Sequence, residues 1–170
     1  MCKDHMTPPP SDHATYQRLL RALGAHLDQA GASRFCTIEL PDEFLVVLHG
    51  GSTKPQPQEV HLSMAALAEQ ARQLARGRKL FGSSYNKGWK LASTGHQDLL
   101  RALGYELDRA DARYILIDEL EDGLMVTYSY LDPAQGYNWR KHLMVLQQED
   151  IEQLGQAAHA RRPRRIRPRP

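Results

Sequence analysis

Tyr16, Leu19, Leu20, Leu23 and Leu27 recur at the i, i+3, i+4, i+7, i+11 spacing of one helical face and predict a helix from about His13 to Ala30. Ser11 or Asp12 is available as its N-cap and Gly31 as its stop. The periodicity then shifts. Phe35 to Leu40 and Phe44 to His49 are rich in β-branched and large apolar residues and are joined by Pro41-Asp42-Glu43, which predicts a β-hairpin. Gly50 to Gln58, with two glycines and two prolines, reads as a loop, after which Glu59 to Leu62 returns as a third strand. Ser63 then caps a second helix, with Met64, Leu67, Ala71 and Leu74 on one side, ending near Gly77.

The same order starts again after Gln97. The stretch LLRALG occurs at Leu19 to Gly24 and at Leu99 to Gly104, and Gln17 to Val46 matches Gln97 to Val126 without a gap at 15 of 30 positions. The second copy predicts a helix from about Gln97 to Ala110 and strands at Tyr114 to Leu120 and Leu124 to Tyr130 around Asp122-Gly123, a strong hairpin signal. A loop through Pro133 and Gly136, a strand from about Tyr137 to Val145 and a helix from about Glu149 to Ala160 follow. The fold class expected is α+β: a tandem duplication of an α-β-β-β-α unit, each with an antiparallel three-stranded sheet and helices on one face, related by a pseudo-twofold. The divisions are 1–12 as a proline-rich N-terminus unable to order itself, 13–79 as the first unit, 80–95 as a connector, 96–160 as the second unit and 161–170 as an arginine- and proline-rich tail. Glycine inside a helix costs roughly 0.5–1 kcal/mol relative to alanine. Its recurrence at Gly24 and Gly104 therefore predicts close approach of another backbone, while Arg21 and Arg101 are expected to face outward.

A unit of this size has a marginal core, so the two are expected to pack together. No apolar run approaches the ~20 residues that span a bilayer, and the start carries no hydrophobic signal core. Cys2 and Cys36 do not make a disulfide framework. A cytoplasmic protein without membrane contact is expected. The net charge of +2 hides an asymmetry: residues 161–170 hold six arginines and no acid, leaving 16 basic and 20 acidic residues in the remainder. Residues 14–79 carry 8 basic and 6 acidic side chains, and residues 96–160 carry 5 and 12.

Two basic regions are candidate polyanion contacts. The first runs through Arg72, Arg76, Arg78, Lys79, Lys87 and Lys90, a stretch without a carboxylate from Gln70 to Gln97 that also carries Phe81, Tyr85 and Trp89. Cations neutralise phosphates and aromatic faces stack on bases, which is the chemistry of single-stranded nucleic acid contact; the alternative is a helix end and linker whose rings pack on the neighbouring unit. The second is the tail, with Arg161, Arg162, Arg164, Arg165, Arg167 and Arg169. Arginines set between prolines suit a salt-sensitive contact with nucleic acid, an acidic protein surface or the chain's own acidic half. An aromatic patch is the third candidate: Tyr128 and Tyr130 on one strand and Tyr137 and Trp139 on the next, expected to join into one surface where the first copy has Leu48 and Gly50. Asp118 reads as a strand-edge or inward acid, Glu39 and Glu119 as solvated, and His49 and His61 as cross-strand neighbours.

Catalytic, cofactor and metal sites are not indicated. There is no nucleophile elbow, phosphate loop or dinucleotide fingerprint, and no ligand spacing for a metal. The element order of each copy resembles that of the double-stranded-RNA-binding domain. The lysine-rich entry to that family's second helix is replaced by Ser63-Met64-Ala65-Ala66 and Glu149-Asp150, and these acids repel phosphate. The leading expectation is a non-enzymatic binding module contacting a polyanion, most plausibly nucleic acid, through tail and connector. The alternative is a protein–protein adaptor or assembly component using the aromatic patch of the second copy, and a third is a small-ligand or enzymatic cleft between the copies. The oligomeric state is open, a homo-oligomer included.

Overall fold

In the computed structural model, which describes residues 15–50, 56–76, 95–147, 149–151 and 153–154, the first helix begins at Tyr16. The elements are α1 (Tyr16–Ala30), β1 (Arg34–Glu39), β2 (Glu43–His49), β3 (Gln58–Ser63), α2 (Met64–Arg76), α3 (His96–Arg109), β4 (Arg113–Glu119), β5 (Gly123–Asp132) and β6 (Asn138–Gln147), with a 3-10 turn at Pro133–Gln135. The chain is helical again at 149–151 and 153–154. Gly31 ends α1 at φ 66, as its sequence position predicts, and the Ser63 hydroxyl accepts the amide of Ala66 at 3.1 Å to cap α2. Ser11 and Asp12 lie outside the described residues; Thr15 occupies the N-cap of α1 without a side-chain hydrogen bond.

The six strands form one antiparallel sheet in the order β3-β2-β1-β4-β5-β6, not two sheets of three. The junction is β1 against β4, where Cys36 lies opposite Asp118, Thr37 opposite Ile117 and Ile38 opposite Leu116. Joining there removes two unpaired edges from the centre of the molecule and makes one continuous surface for the helices to cover. The large strand side chains that are fully covered, Phe35, Phe44, Val46, Ile115, Ile117, Leu124 and Val126, all point to the same side of the sheet. Leucines of α1 and α3 fill the space above them: Leu20, Leu23, Leu27, Leu100, Leu103 and Leu107 have no exposed surface.

α1 and α3 run antiparallel across the sheet at backbone contact distance. A Cβ on Gly24 would stand 2.5 Å from Gln97 Cα, and one on Gly104 2.6 Å from the Tyr16 carbonyl carbon. No side chain fits in either place, so the two helix glycines are required by the approach that their recurrence predicts. Arg101 is a correction to the outward reading, because its side chain is only 11 % exposed and lies beside Asp98, Nε to Oδ1 4.0 Å. The opposite side of the sheet carries no helix among the described residues.

Candidate functional site

Two arrangements of polar and aromatic side chains stand out, one at the α1/α3 seam and one on the helix-free face. At the seam, each helix is capped by the other. Asp28, near the C-terminus of α1, accepts the amides of His96 (2.8 Å) and Gln97 (3.1 Å) at the start of α3. Asp108, at the equivalent place in α3, accepts the amides of Tyr16 (2.8 Å) and Gln17 (3.0 Å) at the start of α1. A carboxylate on the first free N–H groups of a helix satisfies orphan donors and meets the positive end of the dipole.

The first residue of each helix then reaches back to the sheet. His96 Nδ1 lies 3.2 Å from Asp28 and Nε2 3.0 Å from Glu119, and the ring meets Phe35 edge-on at 5.4 Å. Tyr16 donates its hydroxyl to Glu39 at 2.6 Å, and the same carboxylate oxygen accepts the Ile115 amide at 2.9 Å. Burial lowers the His96 pKa, but the hydrogen bonds and charges of Asp28 and Glu119 outweigh it and bring the ring up to about 9. Both ring nitrogens therefore carry protons at neutral pH and donate to the two carboxylates. For Asp28 burial acts upward, and the hydrogen bonds from His96 and the α3 amides overcome it to hold the carboxyl below its ordinary value. Burial first, then Glu39, pushes the Tyr16 phenol up. Glu119 is 6 % exposed and Glu39 is half-buried in these bonds, so neither is the solvated acid that its position suggested. With its carboxylates turned onto helix amides and a buried imidazolium, the seam acts as a structural lock.

The aromatic residues of the second half divide between the two faces. In β5 and β6 Tyr128 lies opposite His142, Tyr130 opposite Arg140 and Leu131 opposite Trp139. Directly opposed residues share a face, so Tyr128 and Tyr130 stand on the helix side, with the Tyr128 ring 5.2 Å from His142 and 6.3 Å from Tyr130. Trp139 stands on the helix-free side. Tyr137 precedes β6 at φ 59 and is 70 % exposed. The expected four-ring patch fails because the register pairs even with even and odd with odd residues, and a one-residue difference reverses the face.

Trp139 has a different partner, Tyr114, at 5.8 Å in an edge-on pair. Tyr114 and Ile115 both oppose Tyr128 at a bulge, where the register shifts between Arg113 and Leu116. Tyr114 has φ 54, a conformation unfavourable to an aromatic residue, and is 64 % exposed beside a Trp139 that is 54 % exposed. Tyr114 alternates with Leu116 and Asp118 along β4, so its ring falls on the helix-free face, and the bulge lies beside it. Around the pair the helix-free face is mixed: Leu143 and Val145 on β6 are more than half exposed and Ile38, Leu116, Met125 and Leu131 lie across the sheet, with Thr127, Ser129 and Lys141 among them. Cys36 and Asp118 sit opposite each other on this face, and burial, then the Asp118 charge, pushes the Cys36 thiol up. Asp118 belongs to a central strand, neither at an edge nor turned towards the helices. Toward β3 the face becomes polar, with His61 held between Glu43 (2.8 Å) and Glu59 (3.2 Å) rather than near His49.

A cavity of about 440 Å³ opens between α3, β5, β6 and Leu154, lined by Leu103, Leu107, Tyr128, Met144 and Leu146, with Glu106 and Arg109 at hand. It lies within the second half, whereas the seam between the halves is closed by the backbone contacts at Gly24 and Gly104. Among the described residues no group of three or more His, Cys, Asp or Glu is arranged to hold a metal, and no helix is long and apolar enough to cross a membrane. Of the basic candidates, Arg72 pairs with Glu69 at 3.0 Å and Arg76 is the last residue of α2. Arg78, Lys79, Tyr85, Lys87, Trp89, Lys90 and the tail arginines 161, 162, 164, 165, 167 and 169 lie outside the described residues. Comparison with protein-family models, with curated proteins and with solved structures finds no match to this chain.

Proposed function

We propose that the chain is a non-enzymatic interaction module, an α-β-β-β-α unit duplicated in tandem, that recognises a protein partner on the helix-free face of β4, β5 and β6. The observation that carries this reading is the exposed Tyr114–Trp139 pair, held at a bulge where Tyr114 has φ 54. Strain of order 1–3 kcal/mol in one residue persists where the surroundings over-determine it, typically at functional sites. Duplication is supported by the seam: Asp28 and Asp108, Tyr16 and His96, Glu39 and Glu119, and Gly24 and Gly104 are pairs eighty residues apart in the sequence that make reciprocal contacts. The first half has Arg34 where the second has Tyr114, so the aromatic face belongs to one copy alone.

Site-specific photo-crosslinking in cells tests the reading, with the crosslinker at Thr127 or Leu131 on this face and at Gln29 as a control. Protease-sensitive adducts from the face positions and none from the control are expected. Equal adducts from both, or nuclease-sensitive adducts from the face, would refute it. A second reading, contact with a polyanion, is favoured by the six arginines of residues 161–170. It requires a gel shift with single-stranded nucleic acid that weakens with salt and with deletion of those residues; no shift at low salt removes it.

A further inference from the structure

We infer that the exposed Tyr114–Trp139 pair receives the chain's own proline run, Pro8-Pro9-Pro10, so that this segment and a partner protein compete for the helix-free face. The contact adds regulation to the interaction-module reading, on which it rests. The chain enters the fold close to the pair. The amides of Tyr16 and Gln17 sit on Asp108 near the end of α3, and the Tyr16 hydroxyl reaches Glu39, whose carboxylate oxygen also holds the amide of Ile115 at 2.9 Å. Ile115 adjoins Tyr114 in β4, a central strand that begins at Arg113. The start of α1 therefore lies beside the start of β4, and a segment leaving Thr15 reaches the other face by rounding that strand end, without passing an outer strand. Pro10 and Pro8 stand five and seven residues before Thr15, a span of up to roughly 17–25 Å for extended chain. A helix is about 10 Å across, so this span covers the step from the helix layer to the far side of the sheet.

The chemistry of the run suits the rings. Proline fixes its own φ, and successive prolines favour an extended helix without internal hydrogen bonds, so docking such a run costs little conformational entropy. Exposed aromatic side chains are the surfaces that take up segments of this kind. Tyr114 and Trp139 meet edge-on at 5.8 Å with more than half of each residue exposed, and Leu131, opposite Trp139 in β5, extends the apolar contact. Charge selects this run over the other proline-bearing stretch. Pro163, Pro168 and Pro170 are set among arginines, whereas Thr7 to Ser11 holds no cation and is followed by Asp12. Lys141 shares the face of Trp139 two residues along β6, where it repels arginine and attracts the acid. A short tether holds the run at a local concentration on the order of 1 mM, so a contact with a dissociation constant of about 0.5 mM is closed roughly two thirds of the time. A partner that binds more tightly displaces it.

Acrylamide quenching of Trp139 fluorescence tests this in the full chain carrying Trp89→Phe, which leaves Trp139 as the sole tryptophan, with circular dichroism as a check of folding. Removing residues 1–12, or making Pro8→Ser, Pro9→Ser and Pro10→Ser together, should raise the quenching constant about twofold, and a synthetic peptide of residues 1–14 at a few millimolar should reverse the rise. The rise should be the same from about 1 to 100 µM protein, because a tethered contact does not depend on concentration. In a Tyr114→Ser chain the removal should change little. No rise in either variant overturns the proline contact, as does a rise on truncation that the serine changes do not reproduce. A rise that depends on protein concentration assigns the contact to a second copy and overturns it as well. The crosslinks from Thr127 and Leu131 read the partner separately: their yield should increase once residues 1–12 are removed, whereas protease-sensitive adducts with unchanged quenching would remove the proline contact and leave the interaction module standing.

Discussion

The seam histidine ties stability to pH in a way that can be worked out from its contacts. His96 is 11 % exposed and lies between Asp28 of α1 and Glu119 of β4, with Phe35 of β1 against its ring. Its pKa of about 9 in the folded chain stands against an ordinary 6.5 in the unfolded one. At about 1.4 kcal/mol per pH unit, that difference is worth about 3 kcal/mol of folding stability. Because the folded value is the higher, the contribution is complete below pH 6.5 and is lost as pH rises through about 9. The lowered pKa of Asp28 reflects the same attraction and is not added again. His61 has a raised pKa too, from Glu43 and Glu59, but it is exposed, so His61→Gln is the background for the measurement. Urea unfolding in that background at pH values from roughly 6 to 9.5 should show a fall of about 3 kcal/mol, and His96→Gln should flatten the profile while lowering stability mainly at the acidic end. Parallel profiles for the two proteins would mean that the imidazolium is not what links α3 to the sheet.

Three further outcomes follow from the same contacts. Gly104→Ala places a methyl group 2.6 Å from the Tyr16 carbonyl carbon; an overpacking cost of ~1–3 kcal/mol should exceed the ~0.5–1 kcal/mol of helix propensity gained, measured as a lower urea midpoint. Asp28→Ala and Asp108→Ala should each cost about 1–2 kcal/mol in urea unfolding through the lost cap, with the Asp28 change the larger because it also strips His96 of a partner. Tyr16→Phe should cost about 1–2 kcal/mol by leaving the Glu39 carboxylate one donor short, and the loss should shrink if Glu39→Gln is made as well.

The helices and strands could be read from the sequence because their signals are local. The leucine spacing of α1, the αL glycine at 31 and the hydroxyl of Ser63 act within one or two turns of where they stand. Gly24 and Gly104 carried further, since a glycine that recurs inside a helix implies a neighbouring backbone, and each touches the first residues of the other helix. The union of the sheets was hidden because pairing of β1 with β4 depends on two edges whose sequences, Cys36 to Ile38 and Leu116 to Asp118, contain no turn to mark it. Glu119 was hidden for a different reason. A lone acid in a strand looks solvated until the fold delivers His96 to it from 23 residues away. The aromatic patch failed on parity alone, because the odd-numbered Trp139 and the even-numbered Tyr130 cannot share a face in this register.

What remains is why a scaffold with reciprocal contacts carries its aromatic surface on one side only. The lock at the seam needs Asp28, Gly24 and Glu39 as much as Asp108, Gly104 and Glu119, so substitution there is limited in both halves. The outer strands are not bound by that requirement. β3 ends after six residues and passes directly into α2 at Met64, whereas β6 runs ten residues to Gln147. Leu143 and Val145 lie on the helix-free side of that longer strand and are exposed there.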